Sequence, residues 1–230
     1  MYRYELHMHT SEGSACGQSK IDEMIKRYKD LGFTGAAVTN HFYFGNTCVD
    51  RNLSWCDFVN EYARAYYEGQ NEAAKLDFDL LFGMEEVYGN EHKEFLAYGI
   101  EPQFLIDRPF LKKAPIEVWS REIHSLGGFI AYSHPFRDRP YIKNPKEMPD
   151  LTLVDGVEAY NYCNTEADNI EAVERLSDCG VAFIAGSDWH RADFTDAFGI
   201  YLPKRARTSA ELAAFLHNRE YRLAVPFVEK

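Results

Sequence analysis

Five of the eight histidines in this sequence stand directly after short apolar runs. His7 and His9 follow YRYEL, His41 follows AAVTN, His134 follows FIAYS, and His190 follows FIAGSDW with Asp188 two residues before it. Glu85 follows DLLFGM in the same way. Imidazole and carboxylate are the usual ligands for zinc, manganese and iron. Two residues separate His7 from His9, so on an extended strand end they project to one side. Asp188 and His190 repeat that spacing. A lone His-x-His is a weak signal, because a single histidine is more often a hydrogen-bonded core or surface residue. Five histidines with Asp188 and Glu85 exceed what one tetrahedral ion needs. The set predicts two or three divalent transition-metal ions (Zn, Mn or Fe), with Glu85 bridging. His124 and His217 fall inside helical patterns and are read as structural or surface residues.

The elements that must position these residues alternate between apolar runs and amphipathic runs. Strands are expected at Tyr2–Leu6, Thr34–Thr39, Phe78–Phe82, Glu94–Tyr98, Phe129–Tyr132, Val154–Tyr160, Val181–Ala185 and Phe198–Leu202. Helices are expected at Ser19–Leu31, Leu53–Lys75, Pro115–Leu126, Asn169–Ser177 and Thr208–Asn218, from the i, i+3, i+4, i+7 spacing of apolar residues. Ser19 with Asp22 and Thr208 with Glu211 resemble capping boxes. Strands alternating with helices imply an α/β fold with a mostly parallel sheet, either doubly wound or closed into a barrel. In such folds the C-terminal strand ends converge on one face, where residues distant in sequence meet. No Gly-x-Gly-x-x-Gly follows the first strand and no P-loop is present, which weakens the nucleotide-binding open sheets.

The 230 residues are 46% hydrophobic and 27% charged, enough apolar material for a large core, and residues 1–230 read as a single domain without linkers or repeats. No apolar run is long enough to span a membrane. Five cysteines, an odd number without Cys-x-x-Cys or a visible signal peptide, predict a reduced, cytoplasmic protein. The formal net charge of −11 argues against a long duplex nucleic acid as substrate and favours a small phosphorylated one.

The motifs ELHMHT, VTNH, GME, YSHP and SDWH, in this order from Tyr4 to about Leu202, resemble those of the PHP (polymerase and histidinol phosphatase) family. The resemblance implies a distorted seven-stranded TIM-like β/α barrel and a metal-dependent phosphoesterase using metal-bound hydroxide at a di- or trinuclear site. It implies His7, His9, His41, Glu85, His134, Asp188 and His190 as metal ligands, with Asp188 also orienting the attacking water. Two positions depart from the family pattern. Where many members carry an aspartate or histidine five or six residues after the second histidine, this chain has Ser14 and Ala15; Glu12 is the nearest carboxylate and the expected ligand, with Cys16 read as a small buried thiol. In the fourth strand Glu94 stands where a liganding histidine is common, and His92 is the alternative. Arg137 and Arg191 follow the YSHP and SDWH motifs and are expected to grip substrate phosphate, or else to form surface salt bridges with Asp138 and Asp193. Tyr43, Phe44, Tyr160 and Tyr162 either stack on substrate or close the barrel mouth. A small phosphate monoester, histidinol phosphate among the options, or a nucleotide or oligonucleotide phosphate is the expected substrate. A non-catalytic metal-binding module is the alternative of a different class.

Overall fold

The first strand, β1 (Tyr2–Met8), is buried from Tyr4 onward, and its alternation sets Glu5 and His7 on one side against Tyr4, Leu6 and Met8 on the other. In the computed structural model, which describes residues 1–90 and 92–225, ten strands form two five-stranded sheets. One sheet contains β1, β2 (Gly35–Val38), β3 (Asp79–Phe82), β9 (Ile200–Leu202) and β10 (Arg222–Leu223), in the order β10-β9-β1-β2-β3. The other runs β4-β5-β6-β7-β8, from β4 (Met84–Tyr88), β5 (Lys93–Tyr98), β6 (Phe129–Tyr132), β7 (Gly156–Asn161) and β8 (Ala182–Gly186).

The expected seven-stranded barrel is therefore corrected in two respects. Among the described residues the ladders do not close, and the sheets are mixed: β1/β2, β2/β3, β6/β7 and β7/β8 pair parallel, while β4/β5, β5/β6, β1/β9 and β9/β10 pair antiparallel. The connection between Tyr88 and Lys93 is too short for the crossover that a parallel pair requires. The two sheets touch through single bridges, Met8 with Trp189 and His41 with Glu85, and both bridges lie at positions that bear the sequence-predicted ligands or their neighbours. Away from that end, Tyr4, Leu6, Ala37 and Leu81 of one sheet share a core with Leu96, Tyr98, Phe129 and Ile184 of the other. The Tyr98 hydroxyl donates to the Leu6 carbonyl at 2.8 Å, tying them directly.

The helices follow the sequence spacing with shifted ends. They are α1 (Ile21–Asp30), α2 (Trp55–Tyr62), α3 (Arg64–Lys75), α4 (Pro102–Ile106), α5 (Ile116–His124), α6 (Glu166–Leu176) and α7 (Ser209–His217). The expected Leu53–Lys75 helix is two helices that meet at Ala63, where ψ is −1°. Thr208 caps α7, its hydroxyl accepting from Glu211 N at 3.1 Å. Ser19 does not cap α1, since its hydroxyl accepts from Ala192 N at 3.0 Å; the free N–H of Ile21 is taken up instead by Glu12 Oε1 at 3.1 Å.

Phe42 anchors the segment after β2. Its ring packs edge-on against Trp55, Phe58, Tyr62 and Trp119, its N–H donates to the Glu85 carbonyl at 2.7 Å, and the Tyr62 hydroxyl donates to the Asn40 carbonyl at 2.6 Å. His41 is fixed between these anchors. Strand alternation turns the adjacent Glu86 away from Glu85. Glu86 Oε1 accepts from the N–H groups of Phe44, Gly45 and Val87, while its buried Oε2 has no partner. Burial pushes its carboxyl up from 4.5 to about 8 against the effect of those N–H donors. The folded state then holds a proton that the unfolded state releases, so stability falls as pH rises from 4.5 to about 8. Glu86→Gln should flatten that decline, which is on the order of a few kcal/mol; denaturant unfolding followed across this range checks it, and an unchanged slope would locate the pH dependence elsewhere.

Candidate metal centre

Strand ends and short loops deliver eight side chains to one buried cluster: His7 on β1 and His9 just after it, His41 after β2, Glu85 on β4, Glu94 on β5, His134 after β6, and Asp188 and His190 after β8. Glu85 is at the centre. Its carboxylate oxygens lie 3.1 Å from His7 Nε2, 3.4 Å from His9 Nε2, 2.9 Å from His41 Nδ1 and 3.3 Å from His134 Nε2. Asp188 Oδ1 lies 3.1 Å from His9 Nε2 and 3.6 Å from His7 Nε2, and Glu94 reaches His41 Nδ1 at 3.2 Å and His134 Nε2 at 3.5 Å.

Neither Glu85 oxygen, nor His41 Nδ1, makes a hydrogen bond of acceptable geometry despite complete burial of the carboxylate and these short separations. Buried carboxylates ordinarily accept hydrogen bonds. Here the nitrogens and carboxylate oxygens crowd together instead. Ligands about 2.1 Å from an ion are about 3.0 Å apart at octahedral angles and about 3.4 Å apart at tetrahedral ones, the spacing seen among these nitrogens and oxygens. His7 Nε2 and His9 Nε2, 3.1 Å apart, fit the same pattern. The donor set therefore fits divalent transition-metal ions, grouped as His7, His9 and Glu85; His41, Glu85 and Glu94; and His9, His41 and His190.

The electrostatics follow. Burial lowers the proton affinity of His7, yet the charges of Glu158, Glu85 and Asp188 outweigh it and hold this imidazole well above its ordinary value. His9 is driven well below, by burial and by His190 and His41. Burial pushes Asp188 up, but His7 and Arg137 overcome it and hold the carboxyl well below the usual range. Protons would compete with a metal for the same nitrogens, so acid would weaken metal binding.

A second layer holds the ligands. His7 Nδ1 pairs with Glu158 Oε1 at 3.0 Å, which leaves Nε2 as the lone-pair nitrogen. Glu158 Oε2 also accepts from His134 N at 3.1 Å and Asn161 Nδ2 at 2.9 Å. Ser14 Oγ lies 3.0 Å from His9 Nδ1 and accepts from His41 N at 3.0 Å. His190 Nδ1 bonds the Asp188 carbonyl at 2.8 Å. A Cβ at Gly186 would lie 2.5 Å from Glu158 Oε1 and 2.6 Å from His7 Cβ, so only glycine fits there. His134 and Asp188 sit at φ 29° and 60°, a left-handed conformation costing ~1–3 kcal/mol for such residues and typical of functional sites.

Several expected roles change. Glu12 is not brought to the cluster, because its carboxylate serves the start of α1. Cys16 lines the cavity; burial pushes its thiol up, but the neighbouring His190 and His41 rings outweigh it and bring it to about 6. Arg191 is exposed and paired with Asp193, the surface alternative. Arg137 is buried, with Nη2 donating to Asp188 Oδ2 at 2.7 Å and Nε to Asn164 Oδ1 at 2.6 Å, so it holds the Asp188 carboxylate in place. His92 lines the cavity, while Glu94 enters the cluster. Tyr43 packs on Trp55 and Phe58, Tyr162 on Trp189 and Phe198, and only Phe44 of the flagged aromatics lines the cavity. Sequence reasoning missed Glu158, whose signal was a carboxylate in the buried run GVEAYN. Glu158→Gln should lower metal affinity ~10–100-fold by misorienting His7, as calorimetric metal titration would show; unchanged affinity would make Glu158 a packing residue.

The PHP domain profile matches residues 5–189. The chain belongs to the PHP family. No curated protein matches the sequence. Among solved structures, a two-domain protein from Bacteroides vulgatus described as containing a predicted PHP-like metal-dependent phosphoesterase superposes with TM-score 0.68 at 17% identity, covering 96% of this chain and 64% of that one. This PHP chain thus spans just under two thirds of that relative. A Bifidobacterium adolescentis protein assigned as a metal-dependent phosphoesterase superposes with TM-score 0.59 at 12% identity, over 99% and 98% of the two chains. Endonuclease Q, solved with a 27-mer duplex bearing an abasic lesion at its active site, superposes with TM-score 0.60 at 13% identity over 94% of this chain and 56% of its own.

That last structure corrects the inference from net charge: the PHP fold is compatible with a duplex. Total charge sums the whole surface, whereas a phosphate responds to the local field within about a Debye length of its site. Among the described residues no helix is long and apolar enough to cross a membrane, and all five cysteines are free.

Proposed function

We propose that this PHP chain is a metal-dependent phosphoesterase working with two or three divalent ions. The observation that carries the reading is the buried Glu85 carboxylate, surrounded by four imidazole nitrogens and hydrogen-bonded by none of them. When bound, such ions lower the pKa of a coordinated water towards ~7 and neutralise charge on the phosphoryl oxygens.

The chain's own residues supply the rest. Glu85 would hold two cations at a fixed separation. Arg137 and His7 keep Asp188 ionised and aimed into the cluster, where it can ligate and accept a proton from water. Glu158 fixes the His7 tautomer, and Ser14 positions both His9 and His41. The cluster opens into a cavity of about 540 Å³, lined also by Phe44, Asn46, Val87, His92 and Tyr141, which is room for a phosphorylated group and part of its alcohol. Phe44 and Tyr141 are exposed at this mouth and can cover an apolar or aromatic leaving group.

A panel of phosphate esters tests the reading: an aryl monoester, a bis-aryl diester, and single-stranded and duplex oligonucleotides, each with and without Mn²⁺ or Zn²⁺. Metal-dependent release from at least one ester is expected. No hydrolysis of any ester by the metal-loaded chain would instead make this a metal-binding module without turnover.

A further inference from the structure

A backbone N–H can only donate, so the Asn40 side-chain atom that faces Thr10 N at 2.7 Å is its carbonyl oxygen, Oδ1. The amide nitrogen on the other side donates to Thr10 Oγ1 at 3.0 Å. The side chain is buried and closely confined, since a Cβ at Gly13 would lie 2.4 Å from Nδ2. The same Oδ1 lies 3.0 Å from Ser14 Oγ. That hydroxyl oxygen lies 3.0 Å from His9 Nδ1 and accepts from His41 N at 3.0 Å. Ser14 has one proton to give. Given to His9, it would leave the buried oxygens of Ser14 and Asn40 facing each other with no proton between them. Given to Asn40, it satisfies every contact, with His9 Nδ1 carrying a proton and donating it to Ser14. The donors therefore run in one order, from His9 through Ser14 to Asn40.

We propose that Asn40 is a positioning residue for the metal centre: by accepting the Ser14 proton it fixes His9 as the Nδ1–H tautomer and leaves Nε2 to present its lone pair. The inference rests on the metal reading of the site and deepens it. His9 Nε2 is the nitrogen that lies 3.1 Å from both His7 Nε2 and Asp188 Oδ1 and 3.4 Å from Glu85 Oε2. A ligating imidazole must offer a lone pair, and the hydrogen bond of its other nitrogen decides which atom does so. The Asn40 main chain adds to this role. Its carbonyl accepts from the Tyr62 hydroxyl at 2.6 Å and from Glu85 N at 3.1 Å, so one residue ties the loop holding His9 to the strand holding Glu85. The two histidines of the HMH motif are thus oriented by different chemistry. A carboxylate, Glu158, holds His7, whereas a neutral hydroxyl backed by an amide holds His9.

A double-mutant cycle read by calorimetric Zn²⁺ titration of the full-length chain tests the proposal. Asn40→Ala should weaken binding ~10–100-fold, because Ser14 is then free to turn its proton towards His9. Asn40→Asp keeps an acceptor oxygen at that point and should bind at least as tightly as the wild type. Ser14→Ala should weaken binding by a similar factor, and Asn40→Ala should add little to that loss, since the two act in series. Additive losses, unchanged affinity in Asn40→Ala, or an equal loss in Asn40→Asp and Asn40→Ala overturns the relay and leaves the metal reading standing. A second measurement needs no variant to fold. With histidine isotopically labelled at its ring nitrogens, NMR of the zinc-loaded wild-type chain should show a proton on His9 Nδ1 and the metal on Nε2. Coordination through Nδ1 overturns the proposal by itself. A wild-type chain that takes up no zinc overturns the metal reading with it.

Discussion

Glu85→Gln should abolish turnover and strip more than one ion from the chain while the fold survives. Glu85 lies within 3.4 Å of four imidazole nitrogens, more than any other carboxylate in the cluster. The amide keeps the volume, so the core should tolerate it. It removes the negative charge that holds adjacent cations against their mutual repulsion and replaces one acceptor oxygen by a donor aimed at lone pairs. The expected fall in turnover is on the order of 10²–10³-fold or more, comparable with losing a principal electrostatic stabiliser of a transition state. Elemental analysis, circular dichroism and steady-state assay on the same preparation check it. Retained activity with retained metal would show that Glu85 does not bridge.

Arg137→Ala has the second large effect. A phosphate clamp would lose substrate affinity and keep its metal, the outcome that the sequence reading favours. The structure supports another outcome. The Arg137 guanidinium is buried and bonds Asp188 Oδ2 at 2.7 Å, so its removal leaves a buried ligand carboxylate without its partner on that side. Metal affinity should fall ~10–100-fold, the usual cost of losing a residue that orients a ligand. Arg137→Lys should restore charge but not the two-pronged contact to Asp188 and Asn164, and so recover only part of the loss. Metal titration of the three proteins decides between the roles: unchanged metal affinity with a raised KM would return Arg137 to the phosphate.

Much of the centre was legible because strand geometry translates spacing into direction. His7 and His9 face one way since side chains alternate, and Asp188 with His190 repeats the device after β8. The strand-end context of His41, Glu85 and His134 was likewise visible, and the structure brings all three to the cluster. Loop path was not legible. Whether Glu12 or Cys16 turns inward depends on the bonds of Ser14, Ala15 and Gly17 to Thr10, Asn46 and Ser14, which no local pattern encodes. Glu158, and the contact of Arg137 with Asp188 in place of the expected phosphate, escaped for a related reason, since each acts through a residue far along the chain, His7 and Asp188. The fold was read too simply as well. Apolar runs do not distinguish parallel from antiparallel neighbours, and β4, hidden in GMEEVY with the candidate ligand Glu85 inside it, was not counted as a strand.

The central claim is that these imidazoles and carboxylates exist to hold ions that hydrolyse a phosphate ester. It is tested most directly by titrating the metal-free chain with Mn²⁺ or Zn²⁺ and following bound metal and aryl phosphate hydrolysis in the same samples. The account predicts no turnover without metal, and activity that rises only as a second equivalent binds. Full activity in the metal-free chain, or saturation of binding at a single ion, would contradict it.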